Sequence, residues 1–197
     1  MGEVEVIKND ITIVKDAYTK LLKILPSFNI TDTTILPYEL KPHTRSITWL
    51  VEQVINQQAK FRQNELSIGD VNFDMPDTCL HDCTLEIDGK VYFVNIKVHN
   101  VDGKKNKNDI AAFLKLYSQY VANPNYRLIY ACFGIKFDNV KISFDSNHLH
   151  LFSPQFLPIY VNPTNDKIQA TYHHEETYRT RDEFLDLLKI SSKSIIL

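Results

Sequence analysis

The sequence predicts an α/β protein with a mixed central sheet flanked by helices, and three features carry that prediction. Residues 83–87 and 91–98, on either side of Asp88-Gly89, are rich in β-branched, aromatic and aliphatic types, a pattern typical of a β-hairpin. A segment with helical spacing follows at 110–121, and a nearly continuous apolar run follows that at 127–134. A strand, a helix and a buried strand in this order predict a crossover between parallel neighbours.

Two helices are expected before the hairpin. Apolar residues at helical spacing predict the first at 10–25, where Pro26 ends it. A second apolar stripe predicts a helix from about Ser46 to Gln63. That stripe comprises Ile47, Leu50, Val51, Val54 and Ile55, with Trp49 and Phe61 extending it.

Further elements are expected after the apolar run. Two shorter strands are predicted at 140–144 and 148–152, joined by a turn. A capping box, Thr180-x-x-Glu183, predicts a last helix at 180–190. We therefore expect one domain over residues 1–197, with its core at about 44–160.

Composition excludes several classes of protein. The 197 residues carry 22 Lys and Arg against 24 Asp and Glu, a formal charge of −2. The chain therefore lacks the global positive charge of a protein that coats nucleic acid. No apolar run approaches the length of a membrane span, and the N-terminus lacks the pattern of a signal peptide. The chain has only three cysteines, so a disulfide framework is not expected. We therefore expect a cytoplasmic protein.

The hairpin has a definite register if Asp88 and Gly89 are its two loop residues. The register pairs Ile87 with Lys90, Leu85 with Tyr92, Cys83 with Val94, and Asp82 with Asn95. Because side chains alternate along a strand, Phe93, Asn95 and Lys97 share one face. Asp82, Asn95 and Lys97 are therefore predicted to converge.

A carboxylate, a second oxygen ligand and a lysine at one strand end suit a site for a hard cation and a phosphodiester. This arrangement resembles the PD-(D/E)xK nuclease superfamily, and the type II restriction endonucleases in particular. On that resemblance Asp82 takes the place of the metal-binding Asp, and Asn95-Ile96-Lys97 takes the place of the (D/E)xK tripeptide. Asn95 stands where the family usually has an acid.

The resemblance implies a restriction-endonuclease-like core and a metal-dependent DNA endonuclease. The implied cofactor is Mg²⁺, with Mn²⁺ as a possible substitute. The implied partners are double-stranded DNA and a second copy of the chain, because a two-fold homodimer would read a palindromic site. No membrane partner is implied. Lys97 would position or activate water, and Asp82 would hold the metal with help from Asn95 or the Ile96 carbonyl.

The helix before the hairpin offers a further carboxylate. Many members of the family carry a Glu there that points at the metal, and Glu52 resembles that residue. Glu65 is the competing choice, since it is closer to the hairpin in sequence but is expected past the helix end. A solvated helix Glu is the plain alternative for either position.

Two polar segments are candidate DNA contacts, since lysines hold phosphates and amides read base edges. One follows the Lys97 strand and the other ends the second helix. The candidate residues are Lys104, Lys105, Asn106, Lys107 and Asn108 in the first, and Gln63 and Asn64 in the second. Solvated surface is the alternative for both segments.

Two other functions stay open. One is a catalytically inactive descendant of the nuclease fold that binds nucleic acid, because Asn95 removes a negative charge from the site. The other is a junction or repair nuclease, which keeps the chemistry and changes the substrate. No Gly-rich phosphate loop and no Ser-His-Asp order is present in a chain with only five glycines.

Overall fold

The structure is a computed structural model that describes residues 2–32, 34, 44–76, 78–103, 108–157, 159–161, 167–170 and 176–193. Helices and strands are interspersed along the chain. The helices are α1 (Glu3–Ile24), α2 (Thr44–Phe61), α3 (Gln63–Leu66), α4 (Phe113–Ala122) and α5 (Arg181–Lys193). The strands are β1 (Phe28–Asn29), β2 (Asp70–Asn72), β3 (Cys83–Ile87), β4 (Lys90–Asn100), β5 (Asn108–Ala112), β6 (Leu128–Asp138), β7 (Lys141–Phe152), β8 (Ile159–Val161) and β9 (Lys167–Ala170).

Six strands form the central sheet in the order β1-β7-β6-β4-β3-β2. β4 and β6 are parallel, and the other neighbouring pairs are antiparallel. The predicted mixed sheet with flanking helices is therefore confirmed. β5, β9 and β8 form a second, antiparallel sheet that the sequence did not predict.

The hairpin of β3 and β4 has the predicted register. Ile87 pairs with Lys90, and the ladder continues through to Cys83 and Val94. Asp88 and Gly89 have φ values of 52° and 72°, the paired positive angles of a type I′ turn. The turn dipeptide thus sets which side chains of β4 reach each face of the sheet.

The central sheet is buried on both faces. Val94 and Ile96 of β4 lie in a core with α1 and α2, whereas Phe93 packs against a second core that contains Tyr130 and the inner sides of α4 and α5. β6 between these cores is buried from Leu128 to Ile135, as expected for a central strand. Asn95 and Lys97 therefore lie on the Phe93 face of β4, as predicted.

Three helix predictions need correction. α4 begins at Phe113 rather than at residue 110, because residues 108–112 pair with β9 as β5. α1 begins at Glu3 rather than at residue 10, since a half-polar first turn with two acidic residues is compatible with a helix N-terminus. Trp49 and Phe61 do not extend the core stripe of α2, because their side chains are 69% and 80% exposed. Ile47, Val51 and Ile55 are buried as predicted.

The two predicted strands after β6 are one strand, β7, with an irregular register. Phe133 of β6 pairs with Leu149 and the next residue, Gly134, pairs with Asp145, so residues 146–148 bulge out. A Cβ on Gly134 would lie 2.3 Å from the Cβ of His148. The bulge thus depends on a glycine in the neighbouring strand, which a turn signal in β7 alone does not reveal.

No helix in the described part of the chain is long and apolar enough to cross a membrane. The expectation of one domain over residues 1–197 remains a prediction.

Candidate active site

The candidate site lies where β3 stops covering the edge of β4. The ladder between them ends at Cys83 and Val94, but β4 continues to Asn100. On its other edge β4 stays paired with β6 as far as Asn100. Backbone groups of β4 beyond Val94 are therefore open on the β3 side.

Asp82 occupies the first part of this open edge. Its backbone N–H donates to the Val94 carbonyl at 2.8 Å, and its carboxylate accepts from the Ile96 N–H at 2.6 Å. The side chain thus takes the place of a missing strand partner, which fixes its orientation. Burial raises the pKa of Asp82, while the charge of Lys97 and the bond from Ile96 partly offset that rise.

Asn95 is 8% exposed and ties β4 to the segment before Asp82. Its side-chain Nδ2 donates to the Leu80 carbonyl at 2.8 Å. The amide oxygen Oδ1 is buried and has no hydrogen-bond partner among the described residues. A buried acceptor without a partner is costly, so this oxygen is suited to a cation or a water at the site.

Glu52 comes to the site from α2. The helix buries Ile47, Val51 and Ile55 against the sheet, and Glu52 lies beside that stripe. Burial raises the pKa of Glu52 to about 7, and the nearby charge of Asp82 contributes to the rise, while Lys97 opposes it. Carboxyl groups with perturbed pKa values cluster at functional sites, so Glu52 and Asp82 are candidates for one.

Lys97 supplies the positive charge of the site. Its Nζ lies 5.8 Å from the centre of the Tyr130 ring, on the face that it shares with Asn95. Its charge also acts on the carboxyl groups of both Glu52 and Asp82. The structure therefore brings together Glu52, Asp82, Asn95 and Lys97, four of the residues singled out in the sequence.

The oxygen donors at this edge fit a hard divalent cation. The N–H and C=O of one strand residue point to the same side, so the Ile96 carbonyl lies on the open edge with the N–H that bonds Asp82. Asp82, Glu52, the Ile96 carbonyl and the Asn95 amide oxygen are all oxygen donors, the kind of ligand that Mg²⁺ prefers. Within the described residues, no three His, Cys, Asp or Glu side chains group as a metal site, so neutral oxygens and water would have to complete the coordination.

Glu65 lies apart from this set. It is exposed on α3, and Arg62 contacts its carboxylate at 3.3 Å. The charges of Asp82 and Lys97 act on Glu52, the other candidate helix carboxylate.

The predicted DNA contacts are only partly placed. Gln63 and Asn64 lie on α3, close to where the Gly69 N–H donates to the Glu86 carbonyl at 2.7 Å. That position is toward the turn end of β3, about 13 Å along the strand from Asp82. Lys104, Lys105, Asn106 and Lys107 lie outside the described residues, as does the side chain of Asn108.

Some features of the site carry no signal in the sequence. The Leu80 carbonyl that receives the Asn95 amide is a backbone group, and any residue could provide it. His81, which precedes Asp82, contacts the Tyr126 hydroxyl at 3.3 Å and packs edge-on against Phe93. Tyr126 lies between α4 and β6, so its position beside His81 depends on the crossover.

Comparisons with known proteins support the fold. No protein-family model matches the chain, and no curated protein matches it by sequence. Among solved structures, the chain is similar to the NlaIV restriction endonuclease, with a TM-score of 0.59 and 10% sequence identity. The similarity covers 91% of this chain and 78% of that one, so it shows a restriction-endonuclease-like fold across nearly all of this sequence.

Proposed function

We propose that the protein is a metal-dependent DNA endonuclease of the type II restriction class. The observation that carries the proposal is the grouping of Glu52, Asp82, Asn95 and Lys97 at the open edge of β4. The restriction-endonuclease-like fold supports it, because the solved neighbour is a restriction endonuclease. Double-stranded DNA is the proposed substrate, Mg²⁺ or Mn²⁺ the proposed cofactor, and a homodimer the proposed assembly.

The chemistry is hydrolysis of a phosphodiester bond. Water oxygen forms a bond to phosphorus while the bond to the leaving sugar oxygen breaks, and the products are a phosphate monoester and a hydroxyl end. A divalent ion held by Asp82, Glu52 and the Ile96 carbonyl would supply Lewis acidity and a more acidic water. Asn95 would offer a neutral oxygen to the same ion, which keeps the net charge of the site low.

Lys97 would act on the substrate side of the site. Its charge acts on both carboxyl groups, and its ammonium would reach a phosphate that approaches the open strand edge. A fixed positive charge at that place offsets the negative charge that builds on the phosphate oxygens in the transition state. It can also orient the attacking water through a hydrogen bond.

The half-buried setting of Glu52 and Asp82 makes an occupied site more favourable than an empty one. Burial raises the pKa values of both carboxyl groups, and the charge of Asp82 raises that of Glu52 further. A divalent cation between them would relieve both effects, since an opposite charge favours the ionised form. We therefore expect binding of Mg²⁺ to release protons near neutral pH.

The direct test is digestion of unmethylated phage DNA by the purified protein. Discrete bands with Mg²⁺ or Mn²⁺, and intact DNA with EDTA, are expected of a site-specific enzyme. A smear would keep the nuclease and remove the site specificity. Intact DNA with every divalent ion would refute the proposal.

One observation favours a second candidate. The amide N–H of Asn95 donates to the Leu80 carbonyl, so the side chain has a structural role. The family usually has an acid at this position. An inactive protein that binds nucleic acid with the same fold would tolerate that change. It predicts DNA binding with no cleavage under any divalent ion. A junction or repair nuclease keeps the proposed chemistry, and cleavage of branched duplexes in preference to linear ones would identify it.

A further inference from the structure

An exposed tryptophan borders the candidate active site. Trp49 is the only tryptophan of the chain, and its side chain is 69% exposed on α2. It precedes Glu52 by three residues, so the two Cβ atoms are about 5–6 Å apart on adjacent parts of the helix surface. Side chains of a helix lean toward its N-terminus, so the indole extends over the helix surface on the N-terminal side of Glu52.

The surface around the indole is polar. Residues three and four positions after Trp49 would continue an apolar seam if a second helix packed there, and these are Glu52 and Gln53. Gln57 lies one turn beyond Gln53, and its Nε2 donates to the Gln53 Oε1 at 3.3 Å. Trp49, Gln53 and Gln57 therefore form one ridge, an aromatic ring followed by two amides.

This chemistry fits a nucleic acid better than a second copy of the chain. Amides read base edges and aromatic rings pack on bases, whereas a self-complementary helix interface needs apolar neighbours around the tryptophan. A duplex whose phosphate reaches Lys97 must also approach Glu52, and Trp49 is within one helical turn of that residue. The ridge is therefore continuous with the site that would take the substrate.

We propose that Trp49 packs its indole against the edge of a base in a groove of the bound DNA next to the cleavage site, and that it is a positioning residue for the substrate. The inference rests on the proposed function, because it takes DNA as the ligand of the Glu52, Asp82 and Lys97 site. It adds a contact that neither the tripeptide motif nor the metal ligands provide.

The test uses the single tryptophan as its own reporter. Emission of the full-length protein is titrated with a pool of random-sequence duplexes, which contains every short recognition site, with Ca²⁺ in place of Mg²⁺ to suppress cleavage. The same pool measures the affinity of Trp49→Ala and of Phe61→Ala. Phe61 is the matched control, since it is an exposed aromatic residue of the same helix, about 13 Å along the axis from Glu52.

The proposal expects quenched emission on DNA binding and about a tenfold loss of affinity in Trp49→Ala, the size of one base–aromatic contact. Phe61→Ala should bind within twofold of the wild type. Cleavage and binding with unchanged emission and unchanged Trp49→Ala affinity would overturn the inference and leave the nuclease intact. A wild-type protein that neither binds nor cuts DNA would overturn both.

A second copy on the same surface has its own signature. Emission would then depend on protein concentration without DNA, and Trp49→Ala would convert a sedimenting dimer to a monomer. That result would overturn the DNA contact. Circular dichroism of Trp49→Ala should match the wild type, because the substituted side chain is outside the core.

Discussion

The half-buried carboxyl of Glu52 makes the electrostatics of the site measurable without DNA. The perturbation is Glu52→Gln in protein freed of divalent ions. Glutamine keeps the shape of the side chain and removes the charge that burial and Asp82 disfavour. We therefore expect the variant to unfold less readily than the wild type near neutral pH.

The expected size and its pH window follow from the shifted pKa. A rise from 4.5 to about 7 favours the protonated folded state, so the wild type loses stability as pH increases from about 4.5 to about 7. Below that window Glu52 is protonated in both the folded and the unfolded wild type. Above it the difference in stability between the wild type and the variant is complete. A fully buried group would lose roughly 3 kcal/mol. Solvent screening of this partly exposed one reduces the expected gain in Glu52→Gln to about 1–2 kcal/mol.

Urea unfolding at pH 8 and at pH 4.5, with EDTA in both buffers, measures the gain directly. The variant should be more stable at pH 8 and equal to the wild type at pH 4.5. Glu65→Gln is the matched control, because it removes the charge of an exposed carboxylate that lies on α3. A gain of equal size at both pH values, or a loss at pH 8, would refute the reasoning. Added Mg²⁺ should stabilise the wild type more than Glu52→Gln, since only the wild type has both carboxylates.

Three other predictions concern single positions. Asn95→Asp should lower the free energy of unfolding at pH 8 by about 1–3 kcal/mol in urea unfolding, because the donor to the Leu80 carbonyl is lost; an unchanged value would contradict the tie. Gly134→Ala should lower it by about 1–3 kcal/mol, since the new Cβ meets His148 and Val101, and a melting temperature equal to the wild type would be inconsistent with the bulge. Gly89→Ala should cost about 1 kcal/mol because φ at this turn is 72°, and a stabilised variant would contradict the type I′ turn.

The hairpin could be predicted from the sequence because its signals are local. Asp88-Gly89 specifies a turn with two positive φ angles, and the alternation on either side fixes the faces. The buried strand β6 was equally clear, because a continuous apolar run of strand length has few other uses in a sheet. These two elements suffice to place Asn95 and Lys97 on one face of β4.

Other features depend on contacts between distant residues and could not be predicted. The bulge of β7 requires Gly134 in the neighbouring strand, and the exposure of Trp49 depends on how α2 rotates against the sheet. The apolar character of Trp49 predicted a core position. That prediction is wrong, because the side chain is exposed on the helix surface beside Glu52. Its exposure is what makes it a candidate for substrate contact.

The candidate site was predicted as a group of residues but not in its internal bonding. The hairpin register predicts that Asp82 lies near Asn95. The Asp82 carboxylate bonds instead to the backbone of Ile96, and the Asn95 amide to the backbone of Leu80. Backbone partners have no residue type and leave no trace in a sequence. The metal, the DNA contacts and the homodimer remain predictions.

Comparison of Lys97→Ala with Lys115→Ala in Mg²⁺-dependent cleavage of phage DNA tests the central claim most directly. Lys115 is an exposed lysine of α4, so its variant controls for the loss of one positive charge. The proposed active site predicts that Lys97→Ala slows cleavage by about 100-fold or more while Lys115→Ala cuts at the wild-type rate. Wild-type cleavage by a folded Lys97→Ala protein would contradict the assignment of the site.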